Sequence, residues 1–130
     1  MRLLPDTHAV YWYVDGDPQL SPTAQMLIQD ASNEILISPA SYWEIAIKVS
    51  IGKWTLHQPY EDFIDLCLNR YGFKILLIEP KHTARVAVLP FPPNHKDPFD
   101  RLIVAQALVE GIPIISCDPQ LDAYGVTRMW

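Results

Sequence analysis

Two periodicities alternate along the chain. Apolar residues first run together in short stretches bounded by polar or turn residues, and these predict strands over Arg2–Pro5, Glu34–Ile37, Phe73–Ile78 and Pro113–Ser116, with a last short strand near Val126–Arg128. Between them apolar residues recur at intervals of three and four, most clearly at Tyr60, Phe63, Ile64, Cys67 and Leu68, which is the spacing of one helix face. Ser21-Pro22 and Ser38-Pro39 each set a capping serine before a proline suited to the first helical position. The first of these helices runs through Leu27-Ile28 to a polar stop at 30–33. The second runs through Trp43 and Ile47 to about Ile51, with Gly52 closing it. Thr7–Val14, Pro80–Val88 and the segment opening at Asp97-Pro98 complete the helices, and LPFPPNH at 89–95 reads as a stiff loop.

Strands that alternate with helices in this way predict an α/β fold, with a mostly parallel central sheet covered by helices on both faces in three layers. At 130 residues the chain is expected to form one domain, residues 1–130. In such a sheet the carboxyl ends of the strands and the starts of the following helices share one edge, where ligands bind.

Composition narrows the reading only slightly. No apolar run approaches the roughly 18–20 residues of a membrane span, and the amino terminus lacks a basic-then-apolar leader, so the chain is expected to be soluble and cytoplasmic. Cys67 and Cys117 sit in apolar segments without metal spacing and are read as free buried thiols. A net charge of −5 argues against holding nucleic acid by overall field, yet it is compatible with a nuclease whose acids collect at a cation site.

The placement of the acids carries more information than their number. Asp6 closes the first predicted strand and Asp118 follows the strand at 113–116. Asp97 and Asp100 stand in the first turn of the helix preceding that strand, and Glu44 lies about one and a half turns into the helix after strand 34–37. All are therefore expected at one edge, with no matching group of Lys or Arg. Such a cluster is unfavourable unless acids stay protonated or a cation binds. Oxygen ligands select a hard ion, Mg²⁺ or Mn²⁺, and such an ion beside phosphate suits hydrolysis of a phosphodiester through an activated water. Bland roles compete: Asp97 is a good N-cap, Asp6 and Asp118 suit strand-end turns, and Glu44 can pair with Lys48 at i,i+4. Asp100 is least easily explained so, because it shares a helix face with Ile103, Val104 and Ala107. His95 and Lys96 border the acid pair, and they are read either as solvated loop residues or as RNA contacts. The aromatics Tyr11, Trp12, Tyr13, Tyr42 and Trp43 are expected mainly in the core or a dimer interface.

Three blocks, LLPDTHAVYWYV at 3–14, ISPASYWEIAIKVSIGKW at 37–54 and HKDPFDRLIVAQALVEGIPIISCD at 95–118, together with the ending YGVTRMW, resemble PIN-domain proteins, specifically VapC-type toxin ribonucleases of type II toxin-antitoxin systems. The resemblance implies a PIN-like α/β domain with magnesium- or manganese-dependent endoribonuclease activity leaving 3′-hydroxyl and 5′-phosphate ends. It also implies a homodimer and a cognate antitoxin. It assigns catalysis and metal binding to Asp6, Glu44, Asp100 and Asp118, leaves Asp97 open between ligand and cap, and gives Thr7 and Ser116 supporting roles as hydroxyls beside the acids. Pro5 departs from the pattern, since proline cannot donate to a central sheet ladder. Two other classes remain. An aspartate phosphohydrolase of the haloacid-dehalogenase kind would need an acid where His8 stands, and a PIN-like scaffold that only binds RNA or protein would not need the full acid set.

Overall fold

The computed structural model describes residues 1–130. Strands β1 (Arg2–Pro5), β2 (Glu34–Ile37), β3 (Lys74–Ile75), β4 (Ile114–Ile115) and β5 (Arg128–Met129) form one sheet in the order β3-β2-β1-β4-β5, with every neighbouring pair parallel. Helices α1 (Thr7–Asp15), α2 (Pro22–Gln29), α3 (Pro39–Ser50), α4 (Tyr60–Asp65), α5 (Pro80–Val88) and α6 (Pro98–Glu110) connect the strands. No helix is long and apolar enough to cross a membrane.

The three layers follow from the period of two along the strands. Leu3, Ile35, Ile37 and Ile115 pack with Val10, Ala24, Ile28, Ile45 and Phe63 on one face, whereas Leu4, Leu36 and Ile114 pack with Ile103, Val104 and Ala107 of α6 on the other. Both faces are buried, which is why these strands read as unbroken apolar runs rather than alternating ones. The serine starts behave as the sequence predicts: Ser21 Oγ accepts the amide of Ala24 at 3.0 Å and Ser38 Oγ that of Ala40 at 3.1 Å. Since α2 docks Ala24 and Ile28 into the core, Ser21→Ala is expected to cost about 1 kcal/mol. Urea unfolding of Ser21→Ala and Ser21→Asp checks this, with the aspartate keeping the cap and an unchanged midpoint in the alanine variant counting against it.

Proline in the innermost strand is accommodated by alternation. Leu4 and Asp6 donate their amides to Pro113 and Ile115 of the β4 side at 3.0 Å each, so the nitrogen of Pro5 turns toward β2, where the ladder ends at Leu3 and Ile35. The proline costs no hydrogen bond there.

Several expectations are corrected. The strand expected over Phe73–Ile78 pairs only at Lys74–Ile75, because its partner β2 ends at Ile37 where Ser38 caps α3, and the carbonyl of Leu76 beyond it accepts from the side-chain amide of the buried Gln106 at 3.0 Å. The strand at 113–116 shortens to Ile114–Ile115, and the last strand lies at Arg128–Met129, later than expected. The helix read through Leu68 ends as α-helix at Asp65 and continues as one wide turn over Leu66–Arg70, which keeps Cys67 buried. Burial pushes the Cys67 thiol up to about 12. Cys117, read as buried, is exposed, in the bend that follows Ser116, whose amide donates to the carbonyl of Met129 of β5 at 3.2 Å.

Candidate active site

Three of the acids at the carboxyl edge of the sheet are placed by local caps. Asp6, the first residue past β1, caps α1 by accepting the amide of Ala9 at 2.9 Å. Asp97 caps α6 by accepting the amide of Asp100 at 2.9 Å, and Asp118 caps a 3-10 turn over Pro119–Tyr124 by accepting that of Gln120 at 2.9 Å. Cap and cluster member are thus compatible roles for one aspartate: one oxygen orients the carboxyl and the second is left over. Pro98 at the start of α6 lacks the amide that a cap would otherwise serve.

Glu44 reaches the same place from α3. It is 5% exposed, its Oε1 has no hydrogen-bond partner, and Lys48 forms no ion pair with it, since the Lys48 ammonium lies 5.8 Å above the Trp54 ring. The i,i+4 pair considered from sequence is therefore not formed.

The acids act on one another's charge. Burial, followed by the charges of Asp97, Asp6, Glu44 and Asp118, raises Asp100 to about 8. Asp6 is raised by burial, with a further contribution from Asp118, against the hydrogen bonds of Ser116 and the Ala9 amide. Glu44 is raised by burial and then by Asp97, against the hydroxyl of Thr7. Thr7 and Ser116 are fully buried beside these carboxyls. Thr7 also donates to Ser41 Oγ at 3.2 Å, and Ser116 Oγ accepts the amide of Asp118 at 3.1 Å.

His95 is not the solvated loop residue that one of its two readings from sequence makes it. It is 4% exposed, and its ring bridges Tyr124 Oη, 2.6 Å from Nδ1, and Asp100 Oδ2, 3.4 Å from Nε2. Lys96 beside it is exposed. Arg101 and Tyr124, which the sequence reading does not single out, are buried next to it; the one available signal is an arginine inside the otherwise apolar run of α6. Of the aromatics, Trp43 is 62% exposed and stands edge-on to Phe99, so it belongs to the rim of the site and not to the core.

The donor set fits a hard divalent cation. Its oxygens come from several carboxylates with no cation in contact, one buried oxygen is orphaned, and ligand atoms of His95, Asp100 and Asp118 lie within 4.8 Å of one another. A second trio, Glu79, His82 and Glu110, has similar spacing but a different balance. His82 accepts the Glu79 amide at Nδ1 and meets Glu110 at 3.0 Å through Nε2, and Lys81 reaches Glu110 at 3.1 Å. Lys81, also 3.7 Å from Glu79, and Arg2, 3.7 Å from Glu110, balance the two glutamates of that trio, and His82 ties α5 to the end of α6.

Comparisons with known proteins bear on the family and the fold. The chain is 38% identical over 58 residues to ribonuclease VapC16 of Mycobacterium tuberculosis, a match covering 45% of this chain and 41% of that protein. It is 27% identical over 124 residues to ribonuclease VapC22 of the same organism, covering 94% of this chain and 91% of that one. The crystal structure of VapBC2 from Rickettsia felis bound to a promoter DNA fragment superposes with a TM-score of 0.69 at 16% identity, covering 99% of this chain and 98% of the matched one. A likeness at that identity speaks for the fold alone. The family model for the PIN domain matches residues 3–126, from the first strand to the approach of the last, and the chain therefore belongs to the PIN domain family.

Proposed function

We propose that this protein is a metal-dependent endoribonuclease, the toxin of a type II toxin-antitoxin pair, with Asp6, Glu44, Asp100 and Asp118 holding Mg²⁺ or Mn²⁺. The observation that carries the reading is the acid cluster without a contacting cation, centred on the orphaned Glu44 Oε1 and on Asp100, which is raised to about 8 by burial and four neighbouring acids. A cluster of like charge at one edge is relieved either by protonation or by a bound cation, and a cation that binds the ionised acids stabilises the fold. The ribonuclease names of the two relatives support RNA as the substrate.

When bound, the divalent ion supplies the positive charge that polarises a phosphoryl oxygen and lowers the pKa of water. The chain's own residues do the arranging. The caps fix Asp6 and Asp118, Thr7 and Ser116 favour the ionised forms of Glu44 and Asp6, and Asp97 adds charge while it starts α6. The amino terminus of α6 favours the negative charge of an incoming phosphate. Trp43 with Phe99 at the rim offers an aromatic surface on which an unpaired base can stack, and Lys96 is the exposed cation nearest the acid pair along the chain.

The partner reading is a cognate antitoxin that covers the acidic edge, supported by solved neighbours of the same fold that are toxin-antitoxin complexes. A homodimer is supported by exposed apolar side chains near β3 and α5, among them Leu77 at 66%, Val88 at 74% and Phe91 at 67%.

The test is cleavage of a structured RNA panel by the protein purified free of any partner, with Mg²⁺, Mn²⁺ or EDTA. Metal-dependent products carrying 5′-phosphates are expected. Cleavage that persists in EDTA would remove the metal from the mechanism, and no cleavage across the panel would favour a binding scaffold.

A further inference from the structure

Arg101 is a buried cation without an anion in contact. Its guanidinium, 4% exposed, donates to the carbonyls of Pro90 at 2.7 Å and Leu89 at 3.4 Å, stacks 3.8 Å from the centre of the Phe91 ring, and donates to Tyr124 Oη at 3.3 Å. One residue earlier on the same helix, Asp100 belongs to an acid cluster without a contacting arginine or lysine. The two are joined by side chains: Tyr124 Oη lies 2.6 Å from His95 Nδ1, and His95 Nε2 lies 3.4 Å from Asp100 Oδ2.

The direction of this path can be worked out. Arginine only donates, so Tyr124 Oη accepts from Arg101. The phenol proton, in a residue 7% exposed, has His95 Nδ1 as its one acceptor among the hydrogen bonds present, and placing it elsewhere would leave a buried hydroxyl unpaired. A histidine that accepts at Nδ1 carries its proton on Nε2. That N–H faces the Asp100 carboxyl.

We propose that His95 is a positioning residue for Asp100, held in its Nε2–H form by Tyr124 and Arg101, so that it donates to one carboxyl oxygen of Asp100 and leaves the other for the metal. The inference rests on the metal-site reading above. It also assigns a consequence to burying Arg101 in α6: the cation polarises a donor chain that ends on the acid instead of neutralising that acid by contact. A salt bridge would occupy the oxygens that a metal needs, whereas a single N–H fixes the carboxyl and occupies one of them. The competing arrangement makes His95 a ligand together with Asp100 and Asp118, its neighbours within 4.8 Å. That arrangement requires a bare Nε2 and puts the proton on Nδ1.

The experiment uses the full chain in three readouts. In the metal-free protein, ¹⁵N NMR of the His95 ring is expected to place the proton on Nε2, with Tyr124→Phe relaxing that preference toward a mixture. In titrations with Mn²⁺ alone, Tyr124→Phe and His95→Ala are expected to bind about tenfold more weakly. His95→Gln, whose amide can accept from Tyr124 and donate to Asp100, is expected to recover most of that loss. Spin-echo spectra of bound Mn²⁺ are expected to contain no directly bonded histidine nitrogen. A proton on Nδ1 in the unsubstituted protein, a nitrogen ligand on Mn²⁺, or an unchanged affinity in Tyr124→Phe would overturn the proposal. Should His95→Ala not fold, Tyr124→Phe and His95→Gln still decide. Failure of the unsubstituted protein to bind Mn²⁺ overturns the metal-site reading instead, and the tautomer then still tells whether the donor chain exists.

Discussion

Asp100→Asn is expected to lower RNA cleavage by about 10³-fold while making the metal-free protein more stable. The asparagine keeps the size of the side chain, and the cap that Asp97 forms on the residue 100 amide is unaffected because it uses the backbone. What disappears is the charge that Asp100, when ionised, adds to a cluster of five acids, and with it an oxygen anion available to the proposed metal. Losing a preorganised electrostatic partner of a developing charge costs a rate on this order. The stability gain has the opposite origin. Asp100 sits at about 8 because burial and the charges of Asp97, Asp6, Glu44 and Asp118 all disfavour its ionised form, so a neutral amide relieves the fold. A gain of about 1 kcal/mol corresponds to roughly 3–5 °C in melting temperature for a domain of this size. Cleavage assays with Mn²⁺ and melting curves in EDTA at pH 8 check both halves. Full activity in the variant would refute the assignment of Asp100, and a lower melting temperature would refute the account of strain.

The metal-free protein is expected to lose stability as pH rises from 5 to 8.5, and Mn²⁺ is expected to remove that loss. The folded chain holds a proton on Asp100 up to about 8, against an ordinary value of 3.8, so the folded state binds this proton more tightly than the unfolded one. Stability from this group is complete below the unfolded value and is lost as pH climbs through the folded one. Asp6 and Glu44 are raised as well and act in the same direction. The lowered acids, Asp30, Glu110 and Asp122, act oppositely, but their stability is lost in acid below the ordinary carboxylate range, outside this window. Metal binds the ionised site, so its stabilisation grows with pH and reaches about 2.7 kcal/mol when free metal is a hundredfold above the dissociation constant. Melting curves at several pH values, with and without Mn²⁺ and in Asp100→Asn, measure the slope. A metal-free melting temperature that rises across the window would count against the cluster.

Much of the fold is legible from local signals. Strands β1 and β2 and helices α1, α2, α3 and α5 lie close to where apolar runs, Ser-Pro starts and glycine stops put them, because those signals are short-range chemistry: a cap, a fixed φ, a period. The elements read less well are the ones that tertiary partners define. β3 is cut short where its partner β2 ends at Ile37, and β5 is placed by pairing with β4. For the site, the acids are legible as a set because parallel topology puts strand ends and helix starts at one edge. Their surroundings are not. Glu44 does not pair with Lys48, whose ammonium lies 5.8 Å above the Trp54 ring, and the i,i+4 spacing alone does not choose between those two nearby partners.

The sequence by itself determined the α/β alternation, the acid at each turn onto the carboxyl edge, and the cap that holds Asp97, since each depends on residues within a few positions of one another. The tertiary structure alone decided that His95 is buried between Tyr124 and Asp100, that Arg101 lies buried without an acid, and that Glu44 Oε1 is left without a partner. The burial of His95 and Arg101 depends on contacts far apart in the chain, His95 to Tyr124 across 29 positions and Arg101 to Tyr124 across 23. Burial and charge at such a distance are set by packing of the whole sheet and its helices, which no single stretch of the chain contains.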